Sequence, residues 1–173
     1  CPEFGDLDMF LSSIAAGPTR PLRLLALDGV TNPQNMGMAL RSAAAAGVDG
    51  FLYAERGNPA LGPLVIKASA GAVFRAPLLR CRSIAGAASQ LLAGGFTLYR
   101  LQAQASQSLW ATPFAERALF VLGGETEGIG QALRDLPGED LAIPMAGGVE
   151  SLNVAVSASL VAFAACAVPP ARA

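Results

Sequence analysis

The polar residues whose spacing could support chemistry fall in three short segments rich in glycine and asparagine. They are Asp28-Gly29-Val30-Thr31-Asn32-Pro33-Gln34-Asn35-Met36-Gly37, Gly123-Gly124-Glu125-Thr126-Glu127-Gly128 and Ile143-Pro144-Met145-Ala146-Gly147-Gly148. The chain has no histidine, which removes the usual general base near neutral pH and the imidazole ligand of most transition-metal sites. What remains is binding through main-chain groups and orientation by amide, carboxylate and guanidinium side chains. A dinucleotide site needs Gly-x-Gly-x-x-Gly after the first strand of a βαβ unit, where DGVTNPQNMG stands instead. A phosphate-binding P-loop needs Gly-Lys-Ser/Thr at the head of a helix, and the single lysine, Lys67, has no glycine before it. Both readings fail. The cysteines Cys1, Cys81 and Cys166 are far apart, with neither paired metal spacing nor an even count for a disulfide framework, and they point to a reducing cytoplasm.

The elements that must hold these segments follow from hydrophobic periodicity. Leu22–Leu27, Phe51–Tyr53, Ala76–Leu79, Phe96–Leu101, Ala118–Leu122 and Leu141–Ile143 read as strands. They lack polar alternation, as strands covered on both faces do. Helical patterns fit between them at 35–46, 63–70, 83–94, 127–135 and 151–167, the last apolar nearly all round. The first helix begins either with Asn32 as cap and Pro33 at its first position or with Asn35 as cap, and Gly47 suits its end. The class is α/β with a mainly parallel sheet covered by helices on both faces, which places ligands in loops at the carboxyl ends of the strands. One domain is expected over 21–173, with 1–20 as a linker or docking segment. The apolar run from Leu152 to Val168 is interrupted by Ser157 and Ser159 and falls short of a membrane span.

Charge is informative locally. The formal net charge is −1, yet no acidic residue lies between Glu55 and Glu116, where Arg56, Lys67, Arg75, Arg80, Arg82 and Arg100 all fall. This is either a basic field or a solvated face whose arginine stems cover core. Arg41 sits in an apolar helix expected to bury most of its surface, so it needs a partner, and Glu125 is the candidate for that pairing or for a neighbouring backbone amide. Ser151 reads as a cap of the last helix, with Asn153 in its first turn.

In order and spacing these segments resemble the motifs of the SpoU/TrmH family of RNA methyltransferases. Asn35-Met36-Gly37-Met38-Ala39-Leu40-Arg41 matches Asn-x-Gly-x-x-x-Arg, and Leu122-Gly123-Gly124-Glu125-Thr126-Glu127-Gly128 matches Leu-Gly-x-Glu-x-x-Gly. The third motif, Ile143-Pro144-Met145-x-Gly147 followed by Ser151-Leu152-Asn153-Val154, is the most specific, and Lys67-Ala68-Ser69-Ala70-Gly71-Ala72 resembles an intermediate signature.

The resemblance implies a C-terminal trefoil knot of the SPOUT type and S-adenosylmethionine as cofactor, without metal. It places Leu122, Gly123, Gly124, Gly128, Ile143, Pro144, Met145, Gly147, Leu152 and Asn153 around that cofactor, the glycines permitting close approach. It implies methyl transfer to a ribose 2′-hydroxyl of ribosomal or transfer RNA, with Asn35, Arg41, Glu125, Ser151 and Asn153 as the catalytic set. Arg41 serves either as the group that takes the proton or as a phosphate-binding stabiliser of developing alkoxide. Arg75, Arg80 and Arg82 are the expected RNA contacts. A homodimer built on the last helix through Leu152, Val156, Leu160, Val161 and Phe163 is expected, and the family leaves room for an RNA-recognition domain ahead of residue 1. Two other classes stand beside this one: a catalytically silent knotted RNA-binding or assembly protein, and an RNA base methyltransferase.

Overall fold

A computed structural model describes residues 2–15, 17 and 20–167. Cys1 and the expected end of the domain at 168–173 lie outside the described residues.

Among the described residues eight strands form one sheet: β1 (Phe4–Asp6), β2 (Leu22–Asp28), β3 (Gly50–Ala54), β4 (Leu78–Cys81), β5 (Thr97–Leu101), β6 (Gln107–Ser108), β7 (Arg117–Gly123) and β8 (Glu139–Ala142). Their order is β1-β4-β3-β2-β7-β5-β8-β6, and every neighbouring pair is parallel. The helices are α1 (Leu7–Ser13), α2 (Pro33–Ala46), α3 (Pro63–Ala68), α4 (Ile84–Ala93), α5 (Gln131–Arg134) and α6 (Val154–Ala165). Successive residues of β2 explain why its sequence shows no alternation. Leu25 and Leu27 pack with Met36 and Leu40 of α2 and Val161 of α6, whereas Leu24 and Ala26 pack with Leu7 of α1, Leu91 of α4 and Leu133 of α5. Both sheet faces are covered, so side chains pointing either way must be apolar.

Within residues 1–20, Asp6 caps α1 by accepting from the N–H of Met9 at 3.0 Å, and β1 pairs with β4. Neither β1 nor the two-residue β6 is legible as a strand, because each is too short for a period. α5 is shorter than the expected 127–135, since Glu125 to Gly130 form a loop instead of its first turns.

Arg100, expected in the basic field, is buried. It pairs with Asp140 at 2.6 Å and donates to the carbonyls of Leu133, Arg134, Leu136 and Gly138, so it staples the turn entering β8 and is unavailable to a polyanion. A buried guanidinium is tolerated because nearly all its donors find acceptors.

β8 comes late in the chain yet slots between β5 and β6, which precede it. Residues 102–106 therefore bridge its carboxyl end, with the Gln102 N–H on the Leu141 carbonyl at 2.9 Å and the Leu109 N–H on that of Ala142 at 2.8 Å. A chain threaded back through its own earlier loop needs this insertion. It also converges the ends of β5, β7 and β8 on one place.

Candidate active site

At the carboxyl end of β2, the Asp28 carbonyl accepts from the Gly124 N–H and its carboxylate from the Gly130 N–H, each at 2.8 Å. This residue clamps both ends of the 124–130 loop. Asp28 opens the first of the three polar segments, but no period or motif assigns it this role. Asn32 then caps α2 through the N–H of Gln34 at 2.8 Å with Pro33 at the first position, the earlier of the two possible starts. Asn35 is thereby placed in the first turn, 5% exposed. Gly37 is a packing notch, since a Cβ there would lie 2.6 Å from the Ala68 Cβ and 2.7 Å from the Val65 carbonyl oxygen of α3.

Three side chains meet at this point. The Asn35 amide donates to Glu125 Oε1 at 3.2 Å, and the Asn153 amide donates to Asn35 Oδ1 at 3.0 Å and to Glu125 Oε1 at 3.1 Å. The orientation of Asn153 is set by its other end, whose Oδ1 caps α6 by accepting from the N–H of Ala155 at 2.9 Å. Its NH₂ must then face acceptors, and the carboxylate supplies one. Asn153 is the cap and Ser151 lies outside the helix, which corrects the reading of Ser151 as the cap. Ser151 is exposed on the cavity wall instead.

Beside this network is a cavity of about 260 Å³ walled by Leu122, Leu141, Ile143 and Leu152, with Gly123, Gly124, Gly128 and Met145 also contributing. It adjoins a more open one of about 730 Å³, reached by Pro144 and sharing Ile143, Met145, Glu150 and Ser151. Gly147 lines neither.

Two of the glycines are required by the chain itself. A Cβ on Gly123 would lie 2.1 Å from the Gly128 carbonyl carbon, and one on Gly124 would lie 2.4 Å from the Gly29 carbonyl oxygen. Their bare backbones let the loop close on itself and on the end of β2. Gly128 and Gly147 have nothing within 4 Å of an added Cβ and instead adopt left-handed φ of 65° and 73°.

Arg41 is not where a partner was expected. It is exposed and makes no hydrogen bond or ion pair with the described residues, while Glu125 is taken by the two asparagines. On α2 the exposed positions are Gln34, Met38, Arg41 and Ala45. That spacing of four, three and four is one helical stripe, facing away from the sheet.

The Lys67–Ala72 signature is structural in its middle. Ser69 is fully buried, donating to the Ile66 carbonyl at 3.0 Å and accepting from the Val73 N–H at 3.4 Å, and Ala70 has a φ of 49°. Lys67 and Arg75 remain exposed on either side, with Phe74 48% exposed beside them. Arg82 is exposed, whereas Arg80 is ion-paired with Glu55 and lies over the Phe4 ring. Burial pushes the Cys81 thiol up to about 11, so it stays protonated and is no nucleophile near neutral pH.

A family model described as the SpoU rRNA Methylase family matches residues 23–163. The 23S rRNA (guanosine-2′-O-)-methyltransferase RlmB of Xylella fastidiosa (strain 9a5c) is 38% identical over 142 residues, covering 82% of this chain and 57% of that protein. The protein of the same name from Escherichia coli (strain K12) is 35% identical, covering 82% and 58%. Among solved structures, the SpoU methyltransferase AviRb of Streptomyces viridochromogenes in complex with the cofactor AdoMet superposes with a TM-score of 0.76 at 26% identity, covering 89% of this chain and 62% of that one. The chain thus spans less than two thirds of the length of these relatives.

Proposed function

Because this chain belongs to the SpoU rRNA methylase family, we propose that it binds S-adenosylmethionine and transfers its methyl group to a ribose 2′-hydroxyl of ribosomal or transfer RNA. The observation that carries this reading is the cavity where β5, β7 and β8 converge, apolar in its walls, bordered by the Asn35–Glu125–Asn153 network and, among the described residues, free of lysine and arginine in its lining. Apolar walls suit an adenosine, main-chain groups at 122–124 and 141–145 suit its polar edges, and the lack of cations disfavours a nucleotide phosphate. When bound, the cofactor supplies a methyl group made electrophilic by its positive sulfur.

The chain's own residues supply alignment. Glu125 fixes the Asn35 and Asn153 amides, which orient the hydroxyl, and Ser151 and Met145 border the cofactor. Arg41 reaches the ribose from the subunit boundary and stabilises the charge developing on oxygen. A guanidinium stays charged throughout the neutral range and so serves better as stabiliser than as proton acceptor. Lys67 and Arg75, flanking the exposed ring of Phe74, join Arg82 as the RNA-facing set, with Arg80 partly withheld by Glu55.

The test has two parts. Titration calorimetry in the presence of chelator should show saturable S-adenosylmethionine binding, and its absence in folded protein would remove the reading. Nucleoside mass spectrometry of RNA treated with the full-length gene product should show a 2′-O-methylated nucleoside. A base-methylated product would favour the base methyltransferase, and cofactor binding without transfer the silent binding protein.

The proposed working form is a cytoplasmic homodimer. Among the described residues no helix is long and apolar enough to cross a membrane. On α6 the exposed apolar residues are Val156 and Phe163, with Leu160 half-buried; Leu152 lies ahead of the helix in the cavity wall, and Val161, expected in that stripe, is fully buried against the sheet. Met38, on the same exposed stripe of α2 as Arg41, extends this apolar surface, and α2 packs on α6, where Ser159 donates to Ser42 at 2.6 Å. Sedimentation at micromolar concentration should report a dimer, and Phe163→Arg should shift it to monomer without lowering the content of helix and strand. A wild-type monomer would contradict the proposal.

A further inference from the structure

Among the described residues that line the two adjoining cavities only two are charged, Glu125 and Glu150, and both are carboxylates. They differ in their commitments. Glu125 Oε1 receives two amide donors, whereas Glu150 is exposed and has no hydrogen bond or ion pair with the described residues. Glu150 is among the residues that line both cavities, together with the apolar Ile143 and Met145. Apolar walls reduce the screening of a nearby charge. An unneutralised carboxylate at such a place favours a cationic ligand over a neutral one of the same shape.

Resting on the reading of this cavity as the cofactor site, we propose that Glu150 is a specificity-determining residue that makes the site prefer the positively charged sulfonium cofactor to its neutral thioether product. The two ligands share adenosine, carboxylate and ammonium, and differ by one methyl group and one positive charge. Contacts to the shared parts contribute equally to both, so discrimination has to come from a group that senses the charge. Once the methyl group has moved to the hydroxyl oxygen, the S–C electron pair stays on sulfur, the hydroxyl proton goes to solvent, and the attraction to Glu150 disappears. The product then binds less tightly than the cofactor by the share that this charge contributes. A single partly solvated charge pair of this kind contributes roughly 3- to 10-fold in affinity, more at low salt than at high.

Equilibrium binding tests this with three probes: S-adenosylmethionine, S-adenosylhomocysteine, and sinefungin, which carries an ammonium group on carbon in place of the methylsulfonium. In E150Q, which changes charge but hardly changes shape, affinity for the two cationic probes should fall roughly 3- to 10-fold while that for S-adenosylhomocysteine stays within about twofold. For the wild type, the ratio of cationic to neutral affinity should shrink as salt is raised, and for E150Q it should be nearly flat. Equal losses for all three probes would mean that Glu150 reads the shared ammonium, and an unchanged ratio would mean that it reads nothing; either overturns the proposal while leaving the cofactor reading intact. Failure of the folded wild type to bind any of the three would overturn the cofactor reading and this inference with it.

Discussion

Replacing Arg41 with alanine is expected to lower methyl transfer by about 10³-fold or more while leaving S-adenosylmethionine affinity within about twofold. The size follows from what is lost. A charged donor aimed at developing negative charge acts mainly in the transition state, so its removal shows in the rate and hardly in cofactor binding. The selectivity follows from position. Arg41 is exposed on the outer stripe of α2, lines neither cavity and holds no partner among the described residues, so truncation leaves the Asn35–Glu125–Asn153 network and the cavity walls as they are. Fold stability should change by no more than about 0.5 kcal/mol, as for an ordinary surface substitution. Single-turnover transfer on RNA with the full-length protein, alongside cofactor titration, separates the two effects. Activity within about tenfold of wild type would remove Arg41 from the catalytic set.

Gly123→Ala should do the opposite, weakening cofactor binding through the backbone. The added methyl would sit 2.1 Å from the Gly128 carbonyl carbon and 2.3 Å from the Ile129 nitrogen, both main-chain atoms with no rotamer to escape into. The 123–130 loop has to open, breaking the clamp of Asp28 on Gly124 and Gly130 and carrying Glu125 away from both asparagines. Overpacking of this kind costs about 1–3 kcal/mol, and affinity should fall by about 100-fold or more because the cavity wall itself moves. Gly147→Ala is the control. Its strain lies in a left-handed φ with open space around the new methyl, so it should cost about 1 kcal/mol and leave most of the affinity. Thermal melts and calorimetry on both variants check this, and Gly123→Ala binding within about fivefold of wild type would show that the loop yields without consequence.

How much of this was legible before the fold was known differs from feature to feature. The parallel sheet, its doubly covered faces and the loops that converge at its carboxyl ends follow from local rules. A strand buried on both sides must be apolar at successive positions, as Leu24 to Leu27 are, and a helix begins where an asparagine and a proline satisfy or remove its first N–H groups, as Asn32 and Pro33 do. Such constraints act over a few residues, so a linear sequence carries them. The motifs also marked out Asn35, Glu125 and Asn153, but not which of them would touch.

Partner choice is settled across separations of 28 to 118 residues by how the chain returns through the sheet, and no local preference encodes it. That is why the sequence leaves Glu125 open between Arg41 and a backbone amide, why it does not reveal the clamping role of Asp28, and why Glu150 carries no signal in it. Arg41 itself was misplaced for a smaller reason. Gln34, Met38, Arg41 and Ala45 fall on one line of α2, opposite Met36, Ala39, Leu40 and Ala43, so reading the whole helix as buried overlooked its period. The same holds for the glycines of the second motif. Their type announced a backbone requirement, but whether the close neighbour would be a ligand or the loop's own main chain depended on where residues 123 and 128 came to rest, and there the approach proved to be backbone on backbone.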